Sequence, residues 1–450
     1  MSSHQIKSIT VVGLGYVGLP TAALLARAGY KVRGVDVNER IVDTLNSGEC
    51  PLGEKEVADI VREALNSGNF EASLEPKEAD AFVICVPTPV RADKSPDLSM
   101  VRAAIQKTAP IVPRGALVIL ESTSPIGTTR NVIAAELEKA GLNPETDVDI
   151  CYCPERVFPG ATVREILNND RIVGGLTPKA AERAKALYES FCDGAPVTTT
   201  AESAEYSKLM ENTFRDVNIA LANVFARIAE DAGVDVQDVI KLANRHPRVN
   251  VHTPGPGVGG HCIPVDPWFL IDAAPVESEL LLKSRNINDE QVLRLVERAE
   301  KAGLPKGGKL AILGAAYRGD IDDARESPTE LLLGVLSAKG YEWAVHDPRV
   351  KEMHVHNGTE PNLTDDLEAV LKDAHAAIIM TDHSTYRALT PDNMETMTGR
   401  TIVDARRMLN ETSFLDAGFT IIPVGAPVHT PDVGAEKVST APHLKIVSSN

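Results

Sequence analysis

At 450 residues the chain is too long for one hydrophobic core, so two or three domains are expected. Its 46 basic against 63 acidic residues leave a net charge of −17, which argues against a nucleic-acid binder or a protein held on an anionic membrane surface. Any anionic ligand must therefore be met by a local cluster of Lys and Arg. No apolar run reaches the roughly 18 residues of a membrane helix, and the start, MSSHQIKS, has no apolar signal core, so a cytoplasmic protein without a membrane span is expected. The six cysteines (Cys50, Cys85, Cys151, Cys153, Cys192, Cys262) show no metal-ligand spacing; no metal is expected, and reduced thiols suit five of the six.

The first half alternates apolar strand-like runs (KSITVVGLG, YKVRGVD, DAFVICVP, ALVILES, VDICYCP) with stretches of helical spacing such as Pro20 to Ala28 and Ser99 to Pro110. That alternation predicts a parallel sheet with helices on both faces. From Ala201 to Gly233 no Gly or Pro intervenes before the last residue, and Tyr206, Met210, Val217, Leu221, Val224 and Ile228 recur at helical spacing. A helix of that extent, on the order of 45 Å at ~1.5 Å rise per residue, bridges domains or supports a dimer interface. A second α/β pattern starts at Lys309 with KLAILGAAY, a helix from Ser327 to Lys339, then YEWAVHDP, AHAAIIMTD and TIVDA. The two ends read as two versions of one sheet architecture, α/β on either side of a long helical connector. The last stretch, residues 431–450, lacks periodicity and reads as a mobile tail.

Directly after the first strand stands Gly13-x-Gly15-x-x-Gly18, opening a helix. In such a fingerprint the first glycine makes the tight turn, the second lets the backbone approach a pyrophosphate, and the third permits close helix–strand packing. Asp36 closes the second strand about 18 residues after Gly18, where a carboxylate accepts from ribose hydroxyls and repels the extra phosphate of NADP. NAD is the expected cofactor. The loops Cys85 to Pro89 and Glu121 to Thr129 end later strands of the same sheet, so Thr88 and Thr123 are candidates to touch cofactor ribose or substrate. Cys85, in an apolar run, reads as core.

Two further features suggest chemistry. The segment PGPGVGGHCIPVDPWF sets Cys262 in a Gly-rich, irregular loop, unlike the inert buried cysteine that is the rule. His261 is adjacent, but neighbouring side chains of extended backbone point to opposite faces, so no Cys–His dyad is assigned. On the long helix Lys208, Asn212 and Arg215 fall at i, i+4 and i+7, a polar stripe whose bland reading is a solvated face. A Lys beside an Asn can also stabilise an oxyanion.

Together GLGYVGLP (from Gly13), CPERVFPG (from Cys153), KLMEN (from Lys208), GPGVGGHCIPVDPW (from Gly255) and RESP (from Arg325) resemble the UDP-glucose/GDP-mannose dehydrogenase family, over roughly Ile6 to Asn410. The resemblance implies two Rossmann-like parallel-sheet domains joined by a long helical connector. It divides the chain into an NAD domain (1–200), a helical connector and dimerisation region with the Cys loop (201–300), and a UDP-sugar domain (301–430). It implies oxidation of C6 of a nucleotide sugar from alcohol to carboxylate with two NAD, by a homodimer. Cys262 is then the nucleophile, and Lys208 or a water held by Asp266 takes the alcohol proton. Glu155 and Asp266 position the hydrolytic water with help from Thr123, while Lys208 and Asn212 stabilise oxyanions. A thiol makes sense there, since an aldehyde loses a second hydride only after a nucleophile has added.

The resemblance also assigns Gly13, Gly15, Tyr16, Val17, Gly18, Asp36, Arg40, Thr88, Thr123 and Arg325 to the cofactor. Arg156, Val157, Lys208, Asn212, Arg215, His246, Arg248, Gly259, Tyr317, Arg318 and Arg406 fall to the substrate. Where the family has Phe-Lys this chain has Tyr317-Arg318, and Arg is not a neutral replacement for Lys. The run RHPRVN, from Arg245, with the motifs above, resembles the branch acting on UDP-N-acetyl-D-mannosamine, with UDP-N-acetylglucosamine or UDP-glucose as alternatives. Two rivals are weaker: a two-electron hydroxyacid dehydrogenase would not need Cys262 or the second α/β domain, and a non-catalytic nucleotide-sugar sensor would not keep Lys208 and Cys262.

Overall fold

The computed structural model describes residues 5–157, 160–353, 355 and 361–431; the expected tail lies outside them apart from Pro431. They form two compact units, Met1–Asn218 with His261–Asn286, and Ile219–Gly260 with Ile287–Asn450.

The first unit is built on eight strands: β1 (Ser8–Val12), β2 (Lys31–Val35), β3 (Phe70–Ser73), β4 (Ala81–Ile84), β5 (Leu117–Leu120), β6 (Asp149–Tyr152), β7 (Ile172–Gly175) and β8 (Val197–Thr200). Their order is β3-β2-β1-β4-β5-β6-β7-β8. The central strands read as unbroken apolar runs, AFVI and LVIL, because both faces are covered. Val11, Val83, Ile119 and Cys151 face a layer with the helices Gly18–Arg27, Lys55–Asn66 and Pro178–Glu189. Phe82, Val118 and Tyr152 face the opposite layer with the helix Ser99–Thr108. Cys151 and Cys153 share one face, as their two-residue spacing implies.

One pairing departs from the parallel arrangement expected of strand–helix alternation. β6 and β7 run antiparallel, Cys151 opposite Gly175 and Tyr152 opposite Gly174. The helix between them, Thr162–Asn168, packs on the helices Gly18–Arg27 and Lys55–Asn66 instead of crossing over to the next strand. β7 therefore starts at the carboxyl edge of the sheet, and β8, parallel to β7, ends at the amino edge. The long helix Ala201–Ala232 begins there and runs back across the sheet, with Ala201 and Ala204 against it. Twelve residues of helix rise about 16 Å, enough to recross a short strand and bring Lys208 to Asn212 to the carboxyl edge.

That helix ends where the sequence places its stop, Gly233 at φ 74°. The large apolar residues that recur along it do not make up its buried face. Tyr206, Met210, Leu221 and Ile228 are 45–58% exposed, whereas Ala204, Leu209, Ala220, Ala226 and Ala229 are buried. Alanine wins the interior because its small side chain lets neighbouring backbone approach; the large apolar residues stand outside.

The second unit contains β9 (Lys309–Leu313), β10 (Glu342–His346), β11 (Leu363–Thr364), β12 (Ala376–Ile379), β13 (Thr401–Asp404) and β14 (Thr420–Pro423). Their order is β11-β10-β9-β12-β13-β14, with every pairing parallel. It repeats the first six strand positions of the first sheet, as the paired α/β patterns imply. Among the described residues no helix is long and apolar enough to cross a membrane.

Candidate active site

The glycine turn has the shape its fingerprint requires. Gly13 sits at φ 95°, and a Cβ there would lie 2.6 Å from the Cys85 carbonyl oxygen. A Cβ on Gly18 would fall 1.9 Å from the Gly13 oxygen, so the helix packs at van der Waals limit against the turn. Gly15, by contrast, has nothing within 4 Å. That open face, beside the start of the helix Gly18–Arg27, fits a pyrophosphate approaching the backbone, with the exposed Tyr16 and half-buried Val17 flanking it. The Asp36 carboxylate accepts from the amides of Leu14 (2.8 Å) and Asn38 (2.9 Å) while remaining half-buried. Asn38 in turn caps the helix Glu39–Asn46 by accepting from the Arg40 amide, which fixes exposed Arg40 close to Asp36. These residues fit NAD.

The loops following β4 and β5 are stitched at the carboxyl edge. Thr88 Oγ1 donates to the Thr123 carbonyl at 2.5 Å and Ser122 Oγ to that of Val86 at 2.6 Å. Buried Glu205, on the long helix, accepts from the amides of Gly127 and Thr129 and from the Thr129 hydroxyl, tying this edge to the helix. One turn further, Leu209 packs with Val265, Phe269 and Val90.

Lys208, Asn212 and Asp266 come together, all buried at 8%, 7% and 2% exposure. Asn212 Nδ2 donates to Asp266 Oδ2 at 2.6 Å. Burial raises the Asp266 carboxyl to about 6 against the opposing pull of the Lys208 charge and the Asn212 hydrogen bond. Cys262 lies one turn before Asp266, whose amide donates to the Cys262 carbonyl at 2.9 Å, and it is half-buried. The loop is turned, not extended, so Cys262 Sγ stands 3.8 Å from His261 Nδ1. The premise that kept those neighbours apart does not hold. Glu155 follows β6 at the same edge, buried, accepting from its neighbour's amide (2.7 Å) and from Arg171 Nη2 (2.9 Å).

The remaining predicted residues are placed as follows. Arg156 forms a bidentate pair with Glu211, which raises its pKa; Val157 packs on the core; half-buried Arg215 is on the long helix. In the second unit Gly259 is held where a Cβ would come within 2.7 Å of Tyr317 Cβ and Pro328 Cδ, so only glycine fits. Arg406 Nη2 reaches the Tyr317 carbonyl (3.4 Å) and Nε that of Met380 (2.8 Å). Arg318 is exposed, and Arg325 is paired with Asp323. His246 and Arg248 stand exposed in the turn after the helix Val236–Ala243, the Arg248 amide donating to His246 Nδ1 at 3.3 Å.

Sequence reasoning missed a buried polar group in the first unit. Glu121 accepts from the Tyr188 hydroxyl (2.6 Å) and the Cys85 thiol (3.1 Å). Arg171 stacks on Tyr188 with its guanidinium carbon 4.7 Å from the ring centroid. Cys85 does pack on the core, as expected, but it also donates there. A carboxylate closing the otherwise apolar LVIL strand was the available signal for Glu121; nothing in the pattern marks Arg171.

A fold of two doubly wound sheets, one fitted to NAD, with a buried Lys–Asn–Asp cluster one turn from a cysteine, fits a nucleotide-dependent dehydrogenase. Family models for UDP-glucose/GDP-mannose dehydrogenases match residues 7–192 (NAD binding domain), 202–290 (central domain) and 311–411 (UDP binding domain). The chain belongs to this family and is an NAD-dependent UDP-sugar dehydrogenase. It is 40% identical over 420 residues to the UDP-N-acetyl-D-mannosamine dehydrogenase of Escherichia coli K12, covering 89% of this chain and 98% of that protein. To the NDP-N-acetyl-D-galactosaminuronic acid dehydrogenase of Ralstonia nicotianae it is 42% identical over 414 residues, 90% and 96% of the two chains. The solved UDP-D-ManNAc dehydrogenase of Pyrococcus horikoshii superposes with a TM-score of 0.86 at 40% identity, covering 93% of this chain and 99% of that one.

Proposed function

We propose that the protein oxidises UDP-N-acetyl-D-mannosamine at C6 to the uronic acid through a thioester on Cys262. The observation that carries this reading is the buried Lys208–Asn212–Asp266 cluster one turn from the half-exposed Cys262. NAD bound on the glycine turn supplies the hydride acceptor for each oxidation. Lys208, or a water held by Asp266, takes the proton from the C6 hydroxyl. The Cys262 thiolate adds to the aldehyde carbon, and its oxyanion is met by the Lys208 ammonium and by the Asn212 N–H not committed to Asp266. Asp266 and Glu155 orient the water that cleaves the thioester, releasing the carboxylate and restoring the thiol; Thr123 helps hold that water. Because Asp266 is raised to about 6, the rate rises with pH through that value if its ionised form is the working one.

In this reading residues 1–200 hold NAD, 201–300 supply the Cys loop and a dimer-forming helix, and 301–430 hold the UDP. Gly259, Tyr317, Arg318 and Arg406 contact the sugar nucleotide together with Arg156, Val157 and Arg215. His246 and Arg248 reach it from the partner subunit of a cytoplasmic homodimer, and Arg325 contacts NAD. The exposed Tyr206, Met210, Leu221 and Ile228 supply apolar surface for that dimer. The 42% identity to the Ralstonia enzyme favours a second reading, a substrate of the N-acetyl-D-galactosamine series. Parallel NADH assays with UDP-ManNAc, UDP-GalNAc, UDP-GlcNAc, UDP-glucose and GDP-mannose decide between them. Preference for UDP-ManNAc is expected, and a clear preference for any other overturns the substrate assignment.

A further inference from the structure

The reversal of β7 has a chemical consequence at the carboxyl edge. In a parallel sheet the residue before a strand lies at the amino edge, far from the loops that hold ligands. Here β7 runs the other way, and continuing its register with β6 (Cys151 opposite Gly175, Tyr152 opposite Gly174) sets Arg171 opposite Glu155. The side chains meet accordingly, Arg171 Nη2 to Glu155 Oε2 at 2.9 Å, with both residues buried at 3% and 8% exposure.

Arg171 is itself fixed from several sides. Its guanidinium stacks on Tyr188, which donates to Glu121; its other terminal nitrogen reaches Cys153 Sγ at 3.9 Å. Glu121 is held further by the Cys85 thiol. Burial raises the Cys192 thiol, and the charge of the same guanidinium works against that rise. One buried cation thus serves two buried carboxylates, Glu121 and Glu155. Burial raises the Glu121 carboxyl, and the Arg171 charge works against that rise. A buried carboxylate without this partner would be costly to keep ionised, and a rotamer-rich Glu would have no fixed direction.

We propose that Arg171 is a positioning residue for Glu155, holding its carboxylate directed so that it can orient the water that cleaves the Cys262 thioester. The inference rests on the hydrolytic role given to Glu155 above. It adds that the antiparallel strand β7 exists at this edge to deliver that cation. Arg171 touches no reacting atom in this scheme, so its loss slows deacylation and spares the two oxidations that precede it.

The test is transient NADH kinetics, with hydroxylamine trapping of the acyl-enzyme, on wild type, Glu155→Gln, Arg171→Met and Arg171→Lys. Arg171→Met is expected to give a burst approaching two NADH per site at near wild-type rate. A steady state about 10- to 100-fold slower follows, as when a group that orients an active-site residue is removed, with trapped thioester and with KM lowered along with kcat so that kcat/KM holds. Arg171→Lys keeps a charge but neither the planar fork nor the stacking on Tyr188, so it should fold and fall between Met and wild type. Should Arg171→Met not fold, the Lys variant carries the test alone. Wild-type deacylation with no trapped thioester in Arg171→Lys or Arg171→Met would overturn the proposal, as would equal losses of burst and steady-state rate in Arg171→Lys. If Glu155→Gln itself turns over normally, the role of Glu155 fails instead; slow Glu155→Gln beside normal Arg171 variants fails only the positioning role.

Discussion

The two sheets open with nearly the same turn and use it differently. In the first, the Gly13 amide donates to the Val35 carbonyl at 2.7 Å and the Leu14 amide to the Asp36 carboxylate at 2.8 Å. In the second, Gly314 donates to His346 at 2.8 Å and Ala315 to the Asp347 carboxylate at 2.7 Å. Both glycines have positive φ, 95° and 107°. Strand order and turn are therefore shared, and neither makes a dinucleotide site. What differs is the continuation. After Gly13 the open Gly15 and the close-packed Gly18 lead at once into the helix Gly18–Arg27, whose free amides face the turn. After Gly314 come two alanines, and the next helix waits until Pro328–Ala338. Asp36 keeps an accessible edge, whereas Asp347 is fully buried. The latter is saturated by the amides of Ala315, Ala316, Arg349 and Val350 and by His383 Nε2 at 3.0 Å. One carboxylate is left to read a ribose; the other holds its own loop together.

The largest effect should come from breaking that second role. Asp347→Ala leaves five donors, most of them buried, without their acceptor and is expected to destabilise the protein by about 3–5 kcal/mol in chemical denaturation, with little change in NAD affinity. Burial alone would raise the Asp347 carboxyl, but the hydrogen bonds from His383 and the loop amides outweigh it and hold the group at about 2. A folded-state pKa below the unfolded one stabilises above the unfolded value. Roughly 2 kcal/mol should therefore be present above pH ~4 and disappear as pH falls from 4 towards 2. A denaturation midpoint that stays flat over that range would contradict the assignment.

Gly15→Ala is the complementary probe. With nothing within 4 Å of the new Cβ and no positive φ to strain, the melting temperature should hold. The methyl nevertheless stands where the pyrophosphate approaches, so titration calorimetry should show NAD binding weakened about tenfold or more, on the order of 1.4 kcal/mol. An equal loss of stability would mean the turn is packed and not open. The smallest change is expected for Asp36→Ala, which should narrow the preference for NAD over NADP by removing a like charge from the second phosphate. Comparable kcat/KM for the two cofactors in wild type would sink that role.

Much of the first sheet was readable because its signals are local. Glycines at fixed offsets, continuous apolar runs and a helix closed by Gly233 each follow from a few consecutive residues. The strands FEAS, IVGG and VTTT were not readable, being four residues long with too little apolar alternation to show a period. Reversal of β7 depends on where the helix Thr162–Asn168 packs, a tertiary choice with no periodic mark in the chain. For the same reason the Arg171–Glu155 pair was hidden although Glu155 itself was named. On the long helix the period was legible but not which face turns inward: Tyr206 and Met210 are exposed, and alanines fill the buried side. The Lys208–Asn212–Asp266 cluster was named by motif, but its closeness to Cys262 rests on a turned loop that sequence reasoning took as extended.

The thioester route through Cys262 is tested most directly by stoichiometry. NADH and sugar acid should be counted on UDP-ManNAc for wild type and for Cys262→Ala. Two NADH per uronic acid are expected from the wild type, and from the variant no acid, with at most slow aldehyde formation at one NADH per sugar. A Cys262→Ala protein that still makes the carboxylate at near wild-type rate would contradict the account.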